Sequence, residues 1–324
     1  MKEVKYQSKS FLIKVEEPLG LESGFALQDL RIQYHTVGGL NEDKSNVVWV
    51  FHALTANSNP LEWWPEMMKD GNPIDPERDF IVCANVIGSC YGSTEPEDFE
   101  FPLITVKDMV GAHQKLRDHL QIQKIKLGIG GSLGGQQLLE WAVQEPELFD
   151  TIVPLATNPK HSAWGIAFNE AQRMAMKNPD LEKGLETARA IAMLSYRNYQ
   201  TYEKTQTDFD DRIDKYSAST YQNYQGVKLR KRFSPYSYYY LSKAMDSHNV
   251  GRHFGSVKKA LNRIQSKVIS IGITSDILFP IQEQEYIANH TPNGVFYSVE
   301  SLYGHDGFLL ETDQINNILK KELA

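Results

Sequence analysis

The chain has 324 residues, of which 41% are hydrophobic and 23% are charged, the ordinary composition of a globular enzyme. Its formal net charge is −7 and its densest basic run, residues 228–232, is short, which argues against nucleic-acid binding and against attachment to an acidic membrane surface. The two cysteines, Cys83 and Cys90, form no CxxC pair, so neither a disulfide framework nor a structural metal site is expected.

Residues 1–40 contain two predicted strands. They fall at 11–15 and at 30–34, where apolar and polar residues alternate. Residues 1–5 lack the apolar stretch of a signal peptide, and no later run is long enough to span a bilayer. We therefore expect a cytoplasmic protein without membrane contact.

Strands and helices alternate between residues 46 and 156, and this order predicts parallel βαβ units in one sheet. The predicted strands are short and almost continuously apolar, which is typical of strands buried on both faces. The predicted helices carry apolar residues along one face. The strands fall at 46–51, 80–85, 125–129 and 151–156, and the helices fall at 106–120 and 135–144.

The alternation stops at residues 158–266, which are helical in pattern, polar, and rich in Tyr, Gln, Lys and Arg. We predict one α/β core, residues 1–157 and 267–324, interrupted by a helical lid insertion at 158–266. After the insertion the core pattern resumes with two further strands and two further helices. These are the strand 268–273, a helix from 282, the strand 295–299 and the helix 308–323.

The motif that carries the chemistry is Gly-Gly-Ser-Leu-Gly at 130–134, a match to G-x-S-x-G. A predicted strand leads into it and a predicted helix leads out, which is the setting of the nucleophile elbow in α/β-hydrolases. Small neighbours suit the tight turn, and a helix N-terminus favours the negative charge that develops beside Ser132. An incidental serine in a glycine-rich turn is the alternative. The prediction is an α/β-hydrolase fold with a mostly parallel sheet, helices on both faces and an inserted helical lid.

A serine hydroxyl becomes a nucleophile only when a base takes its proton and an acid orients that base. In this fold the acid precedes the histidine, and each follows a later strand. Asp276 and His305 meet both conditions, so Ser132, Asp276 and His305 form the predicted triad. Asp306 is a rival acid, but a residue adjacent to the histidine seldom reaches back to its ring. The other histidines considered fall in predicted helices or in the insertion; they are His113, His119, His248, His253 and His290.

An oxyanion hole needs two backbone N–H donors aimed at the acyl oxygen. One is expected from Leu133, directly after the nucleophile. The other is expected from the loop that follows the strand 46–51, where Leu54 is the donor by position. His52 in the same loop is expected to shape the loop rather than to act on the substrate.

Several segments together resemble one family, the homoserine O-acetyltransferases of methionine biosynthesis. They run in family order over nearly the whole chain, and chance does not explain so many long matches. The segments are FHALTANS at 51–58, EWW at 62–64, ANVIGSCYGST at 84–94, GGSLGGQQLLEWA at 130–142, HSAWGIAFNEAQR at 161–173, ARAIAMLSYR at 188–197, YLSKAMDSHNVGR at 240–252, SDILFP at 275–280 and GHDGFLLE at 304–311.

The resemblance implies a two-step transfer in which acetyl-CoA acylates Ser132 and the homoserine hydroxyl then takes the acetyl group. Acetyl-CoA would be a co-substrate, and no cofactor or metal is implied. Asp306 would bind the ammonium of homoserine and Arg197 its carboxylate. The ordinary alternatives are a helix cap for Asp306 and a surface charge for Arg197, and Arg173 is a rival for the carboxylate. A homodimer built on the lid helices is also implied.

Other functions stay open. Related enzymes use succinyl-CoA as donor or serine as acceptor with the same triad. A serine esterase would result if water reached the acyl-enzyme, and a lid that forms a narrow tunnel would oppose this. A non-catalytic binding protein on a hydrolase scaffold would require a broken triad or elbow, and all the parts are present.

Overall fold

The computed structural model of the chain describes residues 6–324. The absence of a signal peptide, which we predict for residues 1–5, falls outside this range. No helix within residues 6–324 is long and apolar enough to cross a membrane.

The strands form one large sheet and one short two-stranded ribbon. In chain order they are β1 (Lys9–Val15), β2 (Leu19–Gly20), β3 (Ala26–Leu27), β4 (Leu30–Val37), β5 (Val47–Phe51), β6 (Phe80–Ala84), β7 (Ile125–Gly131), β8 (Phe149–Leu155), β9 (Lys267–Ile273) and β10 (Gly294–Val299). The large sheet has the order β1-β4-β6-β5-β7-β8-β9-β10, and β2 pairs with β3. β4 is antiparallel to both of its neighbours, and all other adjacent pairs are parallel.

The helices begin where the sequence offers capping residues. Thr105 forms a reciprocal capping box with Asp108, and Ser162, Asp180 and Ser234 each cap a helix with a side-chain oxygen. In chain order the helices are α1 (Pro60–Trp63), α2 (Val106–His119), α3 (Leu133–Gln144), α4 (Ala163–Ala175), α5 (Leu181–Tyr196), α6 (Tyr199–Gln206), α7 (Ser217–Arg230), α8 (Pro235–Asp246), α9 (Val257–Leu261), α10 (Ile281–His290), α11 (Gly307–Leu310) and α12 (Thr312–Glu322), with short 3-10 turns at Pro65–Met67 and Gly304–Asp306.

Both faces of the sheet are covered, as the apolar character of its strands predicts. Along β5, Trp49 and Phe51 pack into a core cluster with residues of α2 and α3, whereas Val48 and Val50 pack into a second cluster with α12. Trp49 is fully buried and meets Trp141 of α3 edge to face at 5.2 Å. Each large side chain buried in this way contributes about 1.5–3 kcal/mol of stabilisation. The predicted α/β-hydrolase fold is confirmed.

Two details of the chain differ from the sequence-based expectation. The single helix predicted over 308–323 is divided into α11 and α12, because Glu311 leaves the helical conformation (φ −88°, ψ 42°) between them. The ribbon of β2 and β3 was not predicted, since two-residue strands are too short to show a period. Between β8 and β9 the described chain forms helices α4 to α9.

Candidate active site

The predicted catalytic residues follow three parallel strands of the sheet. Ser132 comes directly after β7, Asp276 lies in the loop after β9, and His305 lies in the 3-10 turn after β10. Because parallel strands end at one edge of a sheet, their following loops meet there. The fold therefore brings three residues that are far apart in sequence to one place.

Ser132 occupies a strained turn. Its backbone has φ 58° and ψ −127°, a region that side-chain-bearing residues rarely adopt and that concentrates at functional sites. A Cβ atom on Gly134 would lie 2.2 Å from the Phe51 carbonyl oxygen, and one on Gly130 would lie 2.6 Å from the Gly134 carbonyl carbon. Glycine is therefore required on both sides of the serine, which is the close approach expected of a nucleophile elbow.

His305 and Asp276 form the acid–base half of the predicted triad. The Nδ1 atom of His305 lies 2.6 Å from Oδ2 of Asp276, and both side chains are almost completely buried. The other carboxylate oxygen accepts the backbone N–H groups of Leu278 (2.8 Å) and Phe279 (2.9 Å). The carboxylate is held from both sides, so it places the imidazole proton on Nδ1 and leaves Nε2 free to act as a base.

The two predicted oxyanion donors lie beside the nucleophile. Leu133 is the first residue of α3, and Leu54 lines the same cavity as Ser132. Within residues 6–324, the backbone N–H of neither leucine donates to another backbone or side-chain acceptor. The side-chain amide of Gln137 donates to the carbonyl oxygens of His52 and Leu133 and so joins the two segments. Both N–H groups therefore remain available to a substrate oxygen.

His52 is buried and bonded entirely to the backbone. Its Nε2 accepts the N–H of Val86 (3.1 Å), which leaves the proton on Nδ1, and Nδ1–H donates to the Ala53 carbonyl (2.9 Å). Burial lowers the pKa of His52 to about 4, so the ring is neutral near pH 7. These contacts describe a residue that shapes its loop.

A cavity of about 500 Å³ contains the reacting groups. This volume lies within the usual range for small-molecule sites, roughly 300–1,000 Å³. A larger groove of about 850 Å³ beside β3 and α8 contains none of the predicted catalytic residues. The lining of the catalytic cavity comprises Ala53, Leu54, Thr55, Ala56, Asn57, Glu62, Trp63, Tyr91, Ser132, Arg189, Tyr196, Arg232, His305, Asp306, Phe308 and Leu309.

The two residues predicted to bind substrate are paired with each other. Nη2 of Arg197 lies 3.0 Å from Oδ2 of Asp306, and the Arg197 guanidinium also lies over the ring of Tyr303 at 5.6 Å. Asp306 lines the catalytic cavity, whereas Arg197 lines a separate, smaller one. Asp306 directly precedes α11 but forms no side-chain cap bond to it, which removes the capping alternative.

Arg189 lines the catalytic cavity and was missed in the sequence. Its guanidinium lies over the ring of Tyr196 at 5.1 Å, and that ring lies 5.7 Å from the ring of His305. The two residues are two turns apart on α5, a spacing that puts them on one helix face and could have identified them. The rival Arg173 is buried in an ion pair with Asp246 (2.5 Å) and does not line this cavity.

Comparisons with known proteins point to one enzyme family. A family model described as the alpha/beta hydrolase fold matches residues 46–312. The homoserine O-acetyltransferase of Cyclobacterium marinum is 46% identical over 324 residues, covering 94% of this chain and 92% of that protein. The homoserine O-acetyltransferase of Chlorobaculum parvum is 41% identical over 328 residues, covering 94% of this chain and 92% of that protein.

Solved structures share the same architecture. The crystal structure of a homoserine O-acetyltransferase from Staphylococcus aureus has a TM-score of 0.85 at 30% sequence identity, covering 98% of this chain and 95% of that chain. Esterase E22 has a TM-score of 0.88 at 16% identity, covering 98% of this chain and all of that one. At the identity of the esterase, the likeness concerns the fold alone.

Proposed function

The chain belongs to the homoserine O-acetyltransferases of the α/β-hydrolase fold, and we propose that it moves the acetyl group of acetyl-CoA to the hydroxyl of L-homoserine through an acetyl-Ser132 intermediate. The product, O-acetyl-L-homoserine, serves methionine biosynthesis. The observation that carries the mechanism is the hydrogen bond between His305 and Asp276, in a cavity that also contains Ser132. Both parts of a serine-nucleophile mechanism, an oriented base and a strained nucleophile, are present together.

The first half-reaction acylates the enzyme. Nε2 of His305 takes the proton of Ser132 as Oγ attacks the thioester carbon, and Asp276 stabilises the imidazolium that forms. The N–H groups of Leu54 and Leu133 bind the oxygen that becomes negative. When the tetrahedral intermediate collapses, the carbon–sulfur bond breaks and His305 returns the proton to the CoA thiolate.

The second half-reaction transfers the acetyl group. Nε2 of His305 takes the proton of the homoserine hydroxyl, whose oxygen attacks the acetyl-Ser132 carbonyl. The same two N–H groups bind the second oxyanion, and the proton passes to Ser132 Oγ as the ester bond to the enzyme breaks. The acetyl group arrives on CoA and rests on Ser132, so these steps need no metal or further cofactor.

Homoserine is held by two opposite charges in the cavity. Asp306 is the proposed partner of the substrate ammonium, and Arg189 replaces Arg197 as the proposed partner of the carboxylate. Burial raises the pKa of the Tyr196 hydroxyl, and two nearby charges have smaller effects on it: Arg189 lowers the pKa and Asp306 raises it. This supports placing both charges around one small amino acid beside His305. Arg197 then serves to orient the Asp306 carboxylate.

The proposed setting is a cytoplasmic homodimer. Cys83 and Cys90 are both free thiols in the structure, which agrees with a reducing compartment. The large apolar side chains with the highest exposure within residues 6–324, Phe209, Ile213 and Tyr199, all lie in the segment 158–266, which agrees with a subunit interface on this segment.

The test is release of CoA thiol from acetyl-CoA and from succinyl-CoA, with homoserine, serine or no acceptor. The expected result is release that depends on acetyl-CoA and homoserine and that falls by at least about 10³-fold in Ser132→Ala, because the nucleophile is lost. Preference for succinyl-CoA or serine would change the substrate and retain the mechanism. Continuous release with no acceptor, beyond the single burst that acylation of Ser132 produces, would identify a hydrolase instead.

A further inference from the structure

The peptide between Ser132 and Leu133 is held at its carbonyl end. The Ser132 carbonyl oxygen accepts the hydroxyl of Thr157 (2.8 Å) and the backbone N–H of Gln136 (3.1 Å). A peptide group is planar and trans, so its C=O and its N–H point in opposite directions. The N–H of this peptide belongs to Leu133. Whatever fixes the Ser132 oxygen therefore also aims the Leu133 N–H.

The backbone and the side chain of Thr157 are held in place by their surroundings. It follows β8 after Ala156, whose φ of 42° is strained for a residue with a side chain and whose N–H donates to the Ile271 carbonyl (2.9 Å). Thr157 is fully buried, and its own carbonyl accepts the side-chain amide of Gln284 (2.5 Å). A Cβ atom on Gly135 would lie 2.5 Å from its methyl group. The surroundings thus direct the hydroxyl at the Ser132 carbonyl.

The other oxyanion peptide is held in the same manner. The Ala53 carbonyl accepts Nδ1–H of His52 (2.9 Å) and the N–H of Ala56 (3.0 Å), and the N–H of that peptide belongs to Leu54. In each peptide the carbonyl oxygen accepts two hydrogen bonds. One comes from a buried side chain, and the other comes from the backbone N–H three or four residues further along the chain. A hydrogen bond to the carbonyl also polarises the peptide, and this strengthens its N–H as a donor.

We propose that Thr157 is a positioning residue for the oxyanion hole. Its hydroxyl orients and polarises the Ser132–Leu133 peptide, so that the Leu133 N–H meets the acyl oxygen when that oxygen becomes negative. The role rests on the proposed function, because it requires an acyl-Ser132 mechanism with Leu133 as a donor. It acts in both half-reactions, since each passes through an oxyanion at the same site.

A positioning role and a purely structural role have different kinetic signatures. Interactions made mainly in the transition state change kcat and leave ground-state binding unchanged. Loss of the Thr157 hydroxyl should therefore lower kcat and weaken transition-state analogues by the same factor. A structural defect would instead lower thermal stability or raise KM for both substrates. Its size would not depend on whether residue 157 carries a hydroxyl group.

The experiment compares Thr157→Val, which removes the hydroxyl and keeps the shape, with Thr157→Ser, which keeps the hydroxyl. The matched control is Thr291→Val, because Thr291 is also buried and donates to backbone carbonyls at the end of α10. The measurements are kcat, both KM values and inhibition by methylboronic acid, which forms a tetrahedral adduct on a serine nucleophile.

We expect Thr157→Val to lower kcat and the affinity for methylboronic acid by about ten-fold each, less than the roughly 10²–10³-fold cost of losing an oxyanion donor outright. Both KM values should stay within about two-fold, as they do when only transition-state contacts are lost. Thr157→Ser and Thr291→Val should behave like the wild type. An unchanged kcat in Thr157→Val, or a loss that Thr157→Ser shares, overturns the proposal.

The proposed function can fail separately. If the wild type releases no thiol in response to homoserine, the donor or acceptor is wrong, and the variants are then compared in cleavage of p-nitrophenyl acetate. That reaction needs Ser132 and the oxyanion hole but no homoserine. A similar fall in Thr157→Val, rescued by Thr157→Ser, would retain the positioning role, and its absence would overturn it.

Discussion

Arg189 lies on α5 and Arg197 directly follows that helix, yet their guanidinium groups have different surroundings. Arg197 is the C-cap residue that follows α5, and its charge is balanced by Asp306 at 3.0 Å. Arg189 lies within α5, where it faces the catalytic cavity and stacks on Tyr196. A cation that is already paired gains less from a new carboxylate than one whose partner is a neutral ring. We therefore propose that Arg189 binds the substrate carboxylate.

Replacing Arg189 with alanine should weaken homoserine binding selectively. A charge-assisted hydrogen bond is worth about 1.5–3 kcal/mol, so KM for homoserine should rise about ten- to hundred-fold. The burst of thiol from acetyl-CoA in the absence of homoserine should be unchanged, because it does not involve the acceptor. The variant should also lose its preference for homoserine over an amino alcohol that has no carboxylate.

Arg197→Ala is the matched comparison. It should raise KM for homoserine less, and it should retain the preference for an acceptor with a carboxylate. If Arg197→Ala abolished that preference and Arg189→Ala did not, the assignment drawn from the sequence would be the correct one.

Among individual residues, the sequence predicted those whose place in the site depends on their order along the chain. Ser132, Asp276 and His305 could be predicted because each follows a recognisable strand and the fold fixes their order. The choice between Arg189 and Arg197 could not be predicted, because it depends on where α5 ends and on which carboxylate lies opposite each guanidinium group. Thr157 gave no signal, since its role consists of one hydrogen bond across the fold.

The elements that border the site are the strand ends and the first turns of the following helices. Helix α10 begins soon after Asp276, and its first turn carries Glu283. The Glu283 carboxyl is half-buried, and one of its oxygens has no hydrogen-bond partner within residues 6–324. Burial, with a smaller contribution from the charge of Asp276, raises the pKa of Glu283 to about 7. The start of α10 therefore holds a carboxyl that stays protonated over part of the physiological pH range.

This raised pKa makes the stability of the wild type depend on pH. Between the ordinary value near 4.5 and about 7, the folded chain holds a proton that the unfolded chain has released, so stability falls as pH rises through that window. Glu283→Gln removes this contribution, which is on the order of 2–3 kcal/mol. Urea midpoints at about pH 5 and about pH 8 should therefore differ less for the variant than for the wild type.

Glu285→Gln is the control, because Glu285 is exposed on the same helix. Its midpoints should follow those of the wild type at both pH values. A Glu283→Gln variant that lost stability between the two pH values as steeply as the wild type would show that another group is responsible.

Elements were predictable when they were long and periodic. β5 and β9 were found within one residue of their bounds because each is an almost continuously apolar run between polar loops. The division of the last helix at Glu311 could not be predicted, since nothing in the local composition marks it. Helix boundaries of this kind are set by tertiary contacts rather than by propensity.

For the whole molecule, the sequence predicted the layered architecture because apolar strands alternating with amphipathic helices pack into few other arrangements. It did not determine the surface. The highest exposures of large apolar side chains in residues 6–324 are those of Phe209 (97%), Ile213 (93%) and Tyr199 (77%), all within the segment 158–266. Side chains of this kind rarely cluster on a monomer surface without a partner. A second copy of the chain is the partner proposed above.

The proposed homodimer predicts different results for substitutions inside and outside the segment 158–266. The wild type should have twice the mass of the chain in light scattering at micromolar concentration. The double variant Phe209→Asp, Ile213→Asp should be monomeric, because a dimer would bury two unpaired carboxylates on each side. Phe25→Asp places the same charge at an exposed phenylalanine (65%) outside the segment 158–266, and it should remain dimeric. A wild-type monomer would contradict the dimer itself, whereas a dimer that survives the double substitution would move the interface away from the loop between α6 and α7.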